Sequence, residues 1–278
     1  GAHDAIEAMR IHRSYSHAIF THIWLAIPFT WISFYLLKKK VAWWPQYWLW
    51  FLGFATHALL DCCTTYGTQF LLPFTRYLVG FNNISIIDPL YTLPFMILLI
   101  VCLYKKHDDP VRIKYAWTAI AYSMFYMGLT CWAKWEAHQH VVATLEKKQV
   151  EVEQVSTSPT MFNAMLWAGM AYNDSVMYVG EYSIFQHHED ADLAAFPRHL
   201  EYEKGFEGNH LDILKWFSQG KYILEKSGPD TLNMYICKWG RMDYKSNDAR
   251  TCFKFYFKLV KIEQGILAYQ EEPHFTGE

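Results

Sequence analysis

HALLDCCTTYGTQFLLP, residues His57–Pro73, decides how the rest of the chain is read. It closes an apolar, aromatic run that begins at Trp43 and ends in a polar turn at Thr64–Gly67. If the run is helical, His57 and Asp61 stand four residues apart, on one face and one turn from each other. An imidazole and a carboxylate at the end of a segment long enough to cross a bilayer are costly there unless they are used or paired. A second cluster, His12-Arg13-Ser14-Tyr15-Ser16-His17, lies just before the preceding apolar run. Two ligand-type clusters at the ends of two adjacent helices would meet at one membrane surface.

Outward from that stretch, the pattern is one of membrane helices. Ile19–Leu37 has about the ~20 apolar residues a spanning helix needs and stops at Lys38-Lys39-Lys40. Trp43–Leu60 is the second expected span, Ile87–Tyr104 the third and Tyr115–Trp132 the fourth, with residues 68–86 a connecting loop. Many of the 12 tryptophans sit at the ends of these runs, as in interfacial belts. Lys38, Lys39, Lys40, Lys105, Lys106, Arg112 and Lys114 crowd the short loops of one side, while Arg10, Arg13, Arg76 and Lys134 lie on the other. Short loops rich in Lys and Arg stay in the cytoplasm, which puts both clusters, and Asp88 with them, on the outer side.

After the fourth span the composition changes. Lys134–Glu153 reads as a charged helical stalk and Ser156-Thr157-Ser158-Pro159 as a linker. Beyond them come β-like runs at Met165–Tyr172, Val176–Ser183, Tyr222–Glu225, Leu232–Trp239 and Phe253–Val260, with a short helix within Tyr202–Lys221. The expected architecture is therefore a membrane all-α region of about four transmembrane helices followed by a small β-rich extracytoplasmic domain. Its expected boundaries are 1–135, 136–158 (stalk and linker) and 159–278. A net charge of −2 over 278 residues gives no basic patch for nucleic acid. The six cysteines form no C-x-x-C pair, so a cysteine zinc site is not expected. Cys237 and Cys252, on neighbouring strand candidates outside the cytoplasm, are the expected disulfide.

The residues that carry chemistry are His12, His17, His57 and Asp61. Neutral imidazoles and a carboxylate suit a borderline divalent metal, zinc by donor type. Arg13 either binds an anionic phosphate bidentately or anchors the chain to headgroups. Asp88, directly before Pro89, is either a second carboxylate of the site or the cap of the third span. Ser16, Thr64 and Thr65 supply hydroxyls nearby, and His22 is a candidate partner behind the ligands. Glu136, His138 and His140, and the loop Gln186–Asp192 (QHHEDAD), are weaker clusters. In His138-x-His140 the two imidazoles cannot share a helical face.

HRSYSHAIF (12–20), FATHALLDCCTTYGTQFLLPF (54–74) and FNNISIIDPLYTLP (81–94) resemble the YdjM-like family of bacterial inner-membrane metal-dependent hydrolases. PTMFNAMLWAGMAY and YVGEYSIF look like the domain appended in its longer members, so the resemblance covers about residues 10–240. It implies a divalent metal on His12, His17, His57 and Asp61, a multi-pass place in the inner membrane, and remote kinship with zinc-dependent phospholipase C enzymes. The family pattern also includes an earlier segment ending in Pro-Asp-x-Asp. This sequence opens after that point, so the resemblance implies further ligands outside it.

Two functions fit. One is a membrane-bound metal-dependent hydrolase acting on a lipid or lipid-linked phosphoester, with the bilayer itself as partner. The alternative is a non-catalytic, membrane-anchored binding protein with a structural metal site.

Overall fold

The structure is a computed structural model in which residues 5–106, 108–186, 190–243, 246, 248–253, 255–263 and 265–271 are described. The chain divides into two compact units, Gly1–Phe81 with Gly208–Gln219, and Asn82–Glu207 with Gly220–Glu278. The expected boundaries at 135 and 158 follow changes of composition; the contacts divide the chain differently.

The first unit holds α1 (Ala5–Ile11), a 3-10 turn at Tyr15–His17, α2 (Ile19–Leu36) and α3 (Trp43–Cys62). It also holds the segment 63–81 and α6 (Asn209–Ser218). Helices α2 and α3 form a hairpin. Phe29 of α2 joins the two helices through its ring, 5.1 Å from Trp50 and 5.2 Å from Phe54 of α3. Polar groups inside the hairpin are paired: Ser33 Oγ donates to Gln46 Oε1 at 2.7 Å and accepts from Trp50 Nε1 at 3.1 Å. Buried polar atoms need such partners.

The second unit begins with α4 (Pro89–Tyr104) and α5 (Pro110–Lys147), both opened by an Asp-Pro pair. The aspartate accepts from free N–H groups of the first turn, and the proline sits where its missing N–H costs nothing. Eight strands follow: β1 (Gln154–Pro159), β2 (Leu166–Tyr172), β3 (Val176–Ser183), β4 (Asp192–Pro197), β5 (Tyr222–Gly228), β6 (Thr231–Ile236), β7 (Tyr256–Ile262) and β8 (Gly265–Glu271). A four-residue helix, α7 (Ala249–Cys252), precedes β7. They make two antiparallel sheets, ordered β1-β2-β3-β4 and β5-β6-β7-β8. Met170, Val179 and Phe196 of the first sheet share one core cluster with Ile223, Tyr235 and Tyr256 of the second. Gly169 in β2 lets α5 lie close, because a Cβ there would stand 2.5 Å from Val141 Cγ2.

The β runs expected from the sequence appear as β2, β3, β5, β6 and β7, and the short helix as α6. Three corrections follow. Ser156–Pro159 is not a linker but part of β1, paired with β2 from Gln154↔Tyr172 to Pro159↔Trp167. Its Ser and Thr residues read as flexible by composition, yet Thr157 and Ser158 are buried, and the proline sits at the end of an edge strand, where the lost N–H is tolerated. The stalk is not a separate element, since α5 runs unbroken through it.

The third correction concerns the cysteines and the spans. Cys237 and Cys252 are free thiols, as are the other four. Both are buried in the shared core, where each Sγ faces a backbone carbonyl, Cys237 that of Tyr235 at 3.6 Å and Cys252 that of Ser246 at 3.0 Å. Of the four expected spans, only α2, among the described residues, is both long and apolar enough to cross a membrane. Helix α4 has 16 residues, and α3, though 20 long, draws much of its apolar character from Trp and Tyr, which favour the interface over the hydrocarbon.

Candidate metal centre

The site forms where the entry to α2 meets the end of α3. Arg13 takes a positive φ of 51°, turning the chain from α1 into the 3-10 turn that presents His17. Its carbonyl accepts from Gln69 N at 3.1 Å, and Gln69 Nε2 donates to the Arg10 carbonyl at 2.7 Å. The segment that follows α3 is thereby stitched to the segment that precedes α2.

Three ligand-type groups converge. His17 Nε2 lies 3.1 Å and His57 Nε2 3.8 Å from Asp61 Oδ2. One ligand atom from each of the three lies within 4.8 Å of the other two. The His17 and His57 rings are tilted at 5.3 Å between centroids. His57 and Asp61 meet as the four-residue helical spacing requires. Asp61 and His17 are largely buried, with side chains 18% and 20% exposed, whereas His57 is 67% exposed and opens the cluster to its surroundings. The donor set of two imidazoles and a carboxylate, at this separation, fits a divalent metal of the zinc type.

The neighbours tune these groups. Ser16 Oγ lies 2.8 Å from His17 Nδ1, so it can accept that N–H while Nε2 stays free as a ligand. His22, buried within α2, has Nε2 2.9 Å from the Ser16 carbonyl and so supports the turn behind His17. Burial pushes the His17 imidazole below its ordinary value, with Asp61 opposing the shift. His12 is lowered in the same way, by burial first and then by Arg13. Neutral imidazole is the form a metal needs.

Arg13 is the main surprise. Its Nε lies 3.4 Å from Asp61 Oδ2, and its Nη1 donates to Thr64 Oγ1 at 2.8 Å. The guanidinium also stands over the Tyr66 ring, 5.1 Å from its centroid. It is therefore a partner of the proposed ligand Asp61 as well as a cation beside the cluster. His12 is not in the three-residue group; its ring packs edge-on against Tyr66 at 5.0 Å. Thr64 takes part through Arg13 and also donates to the Asp61 carbonyl at 2.8 Å.

Asp88 belongs to the second unit and caps α4. Its Oδ1 accepts from Leu90 N at 3.0 Å, and its Oδ2 from Tyr126 OH at 2.7 Å, with the residue 2% exposed. Of its two sequence readings the cap is the one these contacts use. His140 stacks on Tyr182 at 4.2 Å. In the QHHEDAD loop, His187, His188 and Glu189 lie outside the described residues.

Two residues were missed by sequence reasoning. Tyr66 holds both Arg13 and His12, and its own ring lies 5.1 Å edge-on from Phe217 of α6. Tyr66 had a signal, its place one residue before the turn glycine Gly67; Phe217, 151 positions further on in the chain, had none.

A helical hairpin carries a two-histidine, one-aspartate cluster at its end, and one of its helices is long and apolar enough to span a bilayer. Residues 2–136 match the family described as YdjM inner membrane protein. The match stops at the end of the expected spans and does not extend into the strands. No curated protein and no solved structure is detectably similar to the chain.

Proposed function

We propose that the protein is a membrane-bound, metal-dependent hydrolase that cleaves a lipid or lipid-linked phosphoester at the outer face of the membrane. The observation that carries this reading is the convergence of His17, His57 and Asp61 within 4.8 Å, beside a guanidinium. His17, His57 and Asp61 would hold the metal, with His12 close enough to Tyr66 and Arg13 to adjust the pocket. When bound, a divalent ion supplies a Lewis acid and a water acidified to near ~7. Arg13 orients Asp61 and offers its remaining N–H groups to a phosphate oxygen. The exposed face at His57 is the side from which a headgroup enters.

The bilayer placement extends beyond α2. Leu49 on α3, Leu103 on α4 and Met124 on α5 are 70%, 74% and 72% exposed. Large apolar side chains standing outward along three further helices are best covered by lipid. On this ground all four helices are proposed to be membrane-embedded, and by donor type alone the metal proposed is zinc. The Arg13–Asp61 contact favours a second reading, a non-catalytic anchored protein, because a guanidinium already satisfies the carboxylate without a metal.

Metal content of the purified full-length protein tests the first reading, together with phosphate or headgroup release from phospholipid extracts. Bound metal is expected, falling at least about tenfold in His57→Ala and Asp61→Ala, with turnover lost alongside. Bound metal without turnover selects the anchored-protein reading. Absence of metal from the parent protein overturns the hydrolase reading.

A further inference from the structure

We infer that the segment Thr68–Phe81 is a membrane-seated loop that docks on lipid headgroups and upper acyl chains, holding the metal centre at that depth. The inference rests on the bilayer placement of α2 and not on the metal or the hydrolysis.

The segment reads TQFLLPFTRYLVGF, with Arg76 its only charged residue. Its base is closed by paired backbone bonds, Thr68 N to Val79 O and Val79 N to Thr68 O, both 2.9 Å. Within this closed loop the apolar residues divide. Leu72 and Leu78 turn inward, 1% and 3% exposed, and complete the unit's core. Phe74, Tyr77 and Phe81 stand outward at 75%, 64% and 51%. A loop that already has a filled core has no core-packing reason to hold Phe74 and Tyr77 so far out on its other side. An aromatic pair flanking an arginine is the composition that seats at a membrane interface, with rings among the headgroups and the cation toward phosphate.

Continuity fixes the occupant. Phe74 packs edge-on against Phe20 at 4.7 Å, and Phe20 is the second residue of α2, the helix fit to span. Its outward surface runs on through Ile23 and Trp24, 38% and 71% exposed. The exposed apolar face of the loop is thus an extension of the surface that meets lipid. The loop is also rigidly joined to the metal centre, because Phe70 O accepts from Ile19 N at 3.0 Å and Gln69 N donates to Arg13 O. Where the loop sits, the metal cluster sits. Under the proposed hydrolase reading, a bond cleaved at that depth belongs to a lipid headgroup linkage rather than to a freely soluble ester.

The test places photoreactive benzoylphenylalanine at Phe74, Tyr77 or, as control, the exposed Asp230 of the full-length protein in nanodiscs of phosphatidylethanolamine and phosphatidylglycerol. After irradiation, lipid adducts are read by mass spectrometry of the peptides. Positions 74 and 77 are expected to yield several-fold more lipid adduct than 230. Adducts at the level of 230, or crosslinks that join two copies of the chain instead, overturn the inference. Metal content measured on the same preparations keeps this outcome separate from the hydrolase reading, since a lipid-seated loop without metal and a metal-bearing protein without a seated loop give different results.

Discussion

Asp61 Oδ2 has three neighbours that compete for one oxygen: His17 at 3.1 Å, Arg13 at 3.4 Å and His57 at 3.8 Å. The helical pair His57/Asp61 was legible because both residues lie on one regular element whose period is known. The approach of His17 was legible only as a convergence of two clusters on one surface. The part of Arg13 was not, since its partners Asp61 and Thr64 are 48 and 51 positions away and no local period links them. Arg13 ties three elements together, and its side chain is 11% exposed. Arg13→Ala should therefore destabilise the first unit by about 1.5–3 kcal/mol, the range for hydrogen bonds to charged groups. Thermal unfolding of the detergent-solubilised protein measures this. A shift inside the ~0.5 kcal/mol typical of neutral surface changes would show that the guanidinium contributes no more than a surface charge.

Among the elements, α6 has the least expected role. Its sequence, NHLDILKWFS, is an ordinary amphipathic helix with Leu211, Leu214 and Phe217 buried, and sequence reading placed it in the β-rich domain. Instead it completes the first unit. Trp216 Nε1 donates to the Arg76 carbonyl at 2.8 Å, Gln219 Nε2 to the Leu78 carbonyl at 2.8 Å, and Phe217 meets Tyr66. The helix thus supports the loop from one side and, through Tyr66, the guanidinium beside Asp61. Phe217→Ala should cost about 3–5 kcal/mol, as for other large-to-small changes at buried phenylalanines. Hydrogen exchange should speed up at residues 64–79 before it does in the α2/α3 hairpin. Uniform acceleration across both would mean that α6 supports the whole unit rather than the loop. The strands were more legible than this helix, because alternating Val, Tyr, Phe and Met bounded by turn residues is a local signal. β1 was missed because Ser and Thr serve equally in linkers and strands, and only the pairing partner decides.

For the whole molecule, charge is the signal the sequence offers for which side of the membrane the helix ends face. Lys38, Lys39 and Lys40 follow α2, and Lys105, Lys106, Arg112 and Lys114 surround the α4–α5 junction, against Arg10, Arg13, Arg76 and Lys134 at the opposite helix ends. Translocating short, densely basic loops is disfavoured. If four helices cross in alternation, as proposed, that bias puts the His17–His57–Asp61 cluster and the strands outside. The span count read from apolar length alone is smaller because Trp and Tyr carry much of α3, and hydropathy scores them low although their rings are at home in the interface. Free thiols are compatible with an oxidising compartment here. Cys237 and Cys252 are buried, and burial pushes both thiols up, away from the reactive thiolate. Labelling with a membrane-impermeant maleimide decides the matter. The background should lack Cys63, Cys102 and Cys131, the cysteines that are not fully buried, with one new cysteine at a time at Lys39 or Ser227, both exposed. In intact spheroplasts Ser227→Cys should label and Lys39→Cys should not, with position 39 becoming reactive after permeabilisation. If position 39 labels from outside and 227 is protected, the helices are inverted. The His17–His57–Asp61 cluster then faces the cytoplasm, and a lipid substrate of the proposed hydrolase must be sought in the inner leaflet.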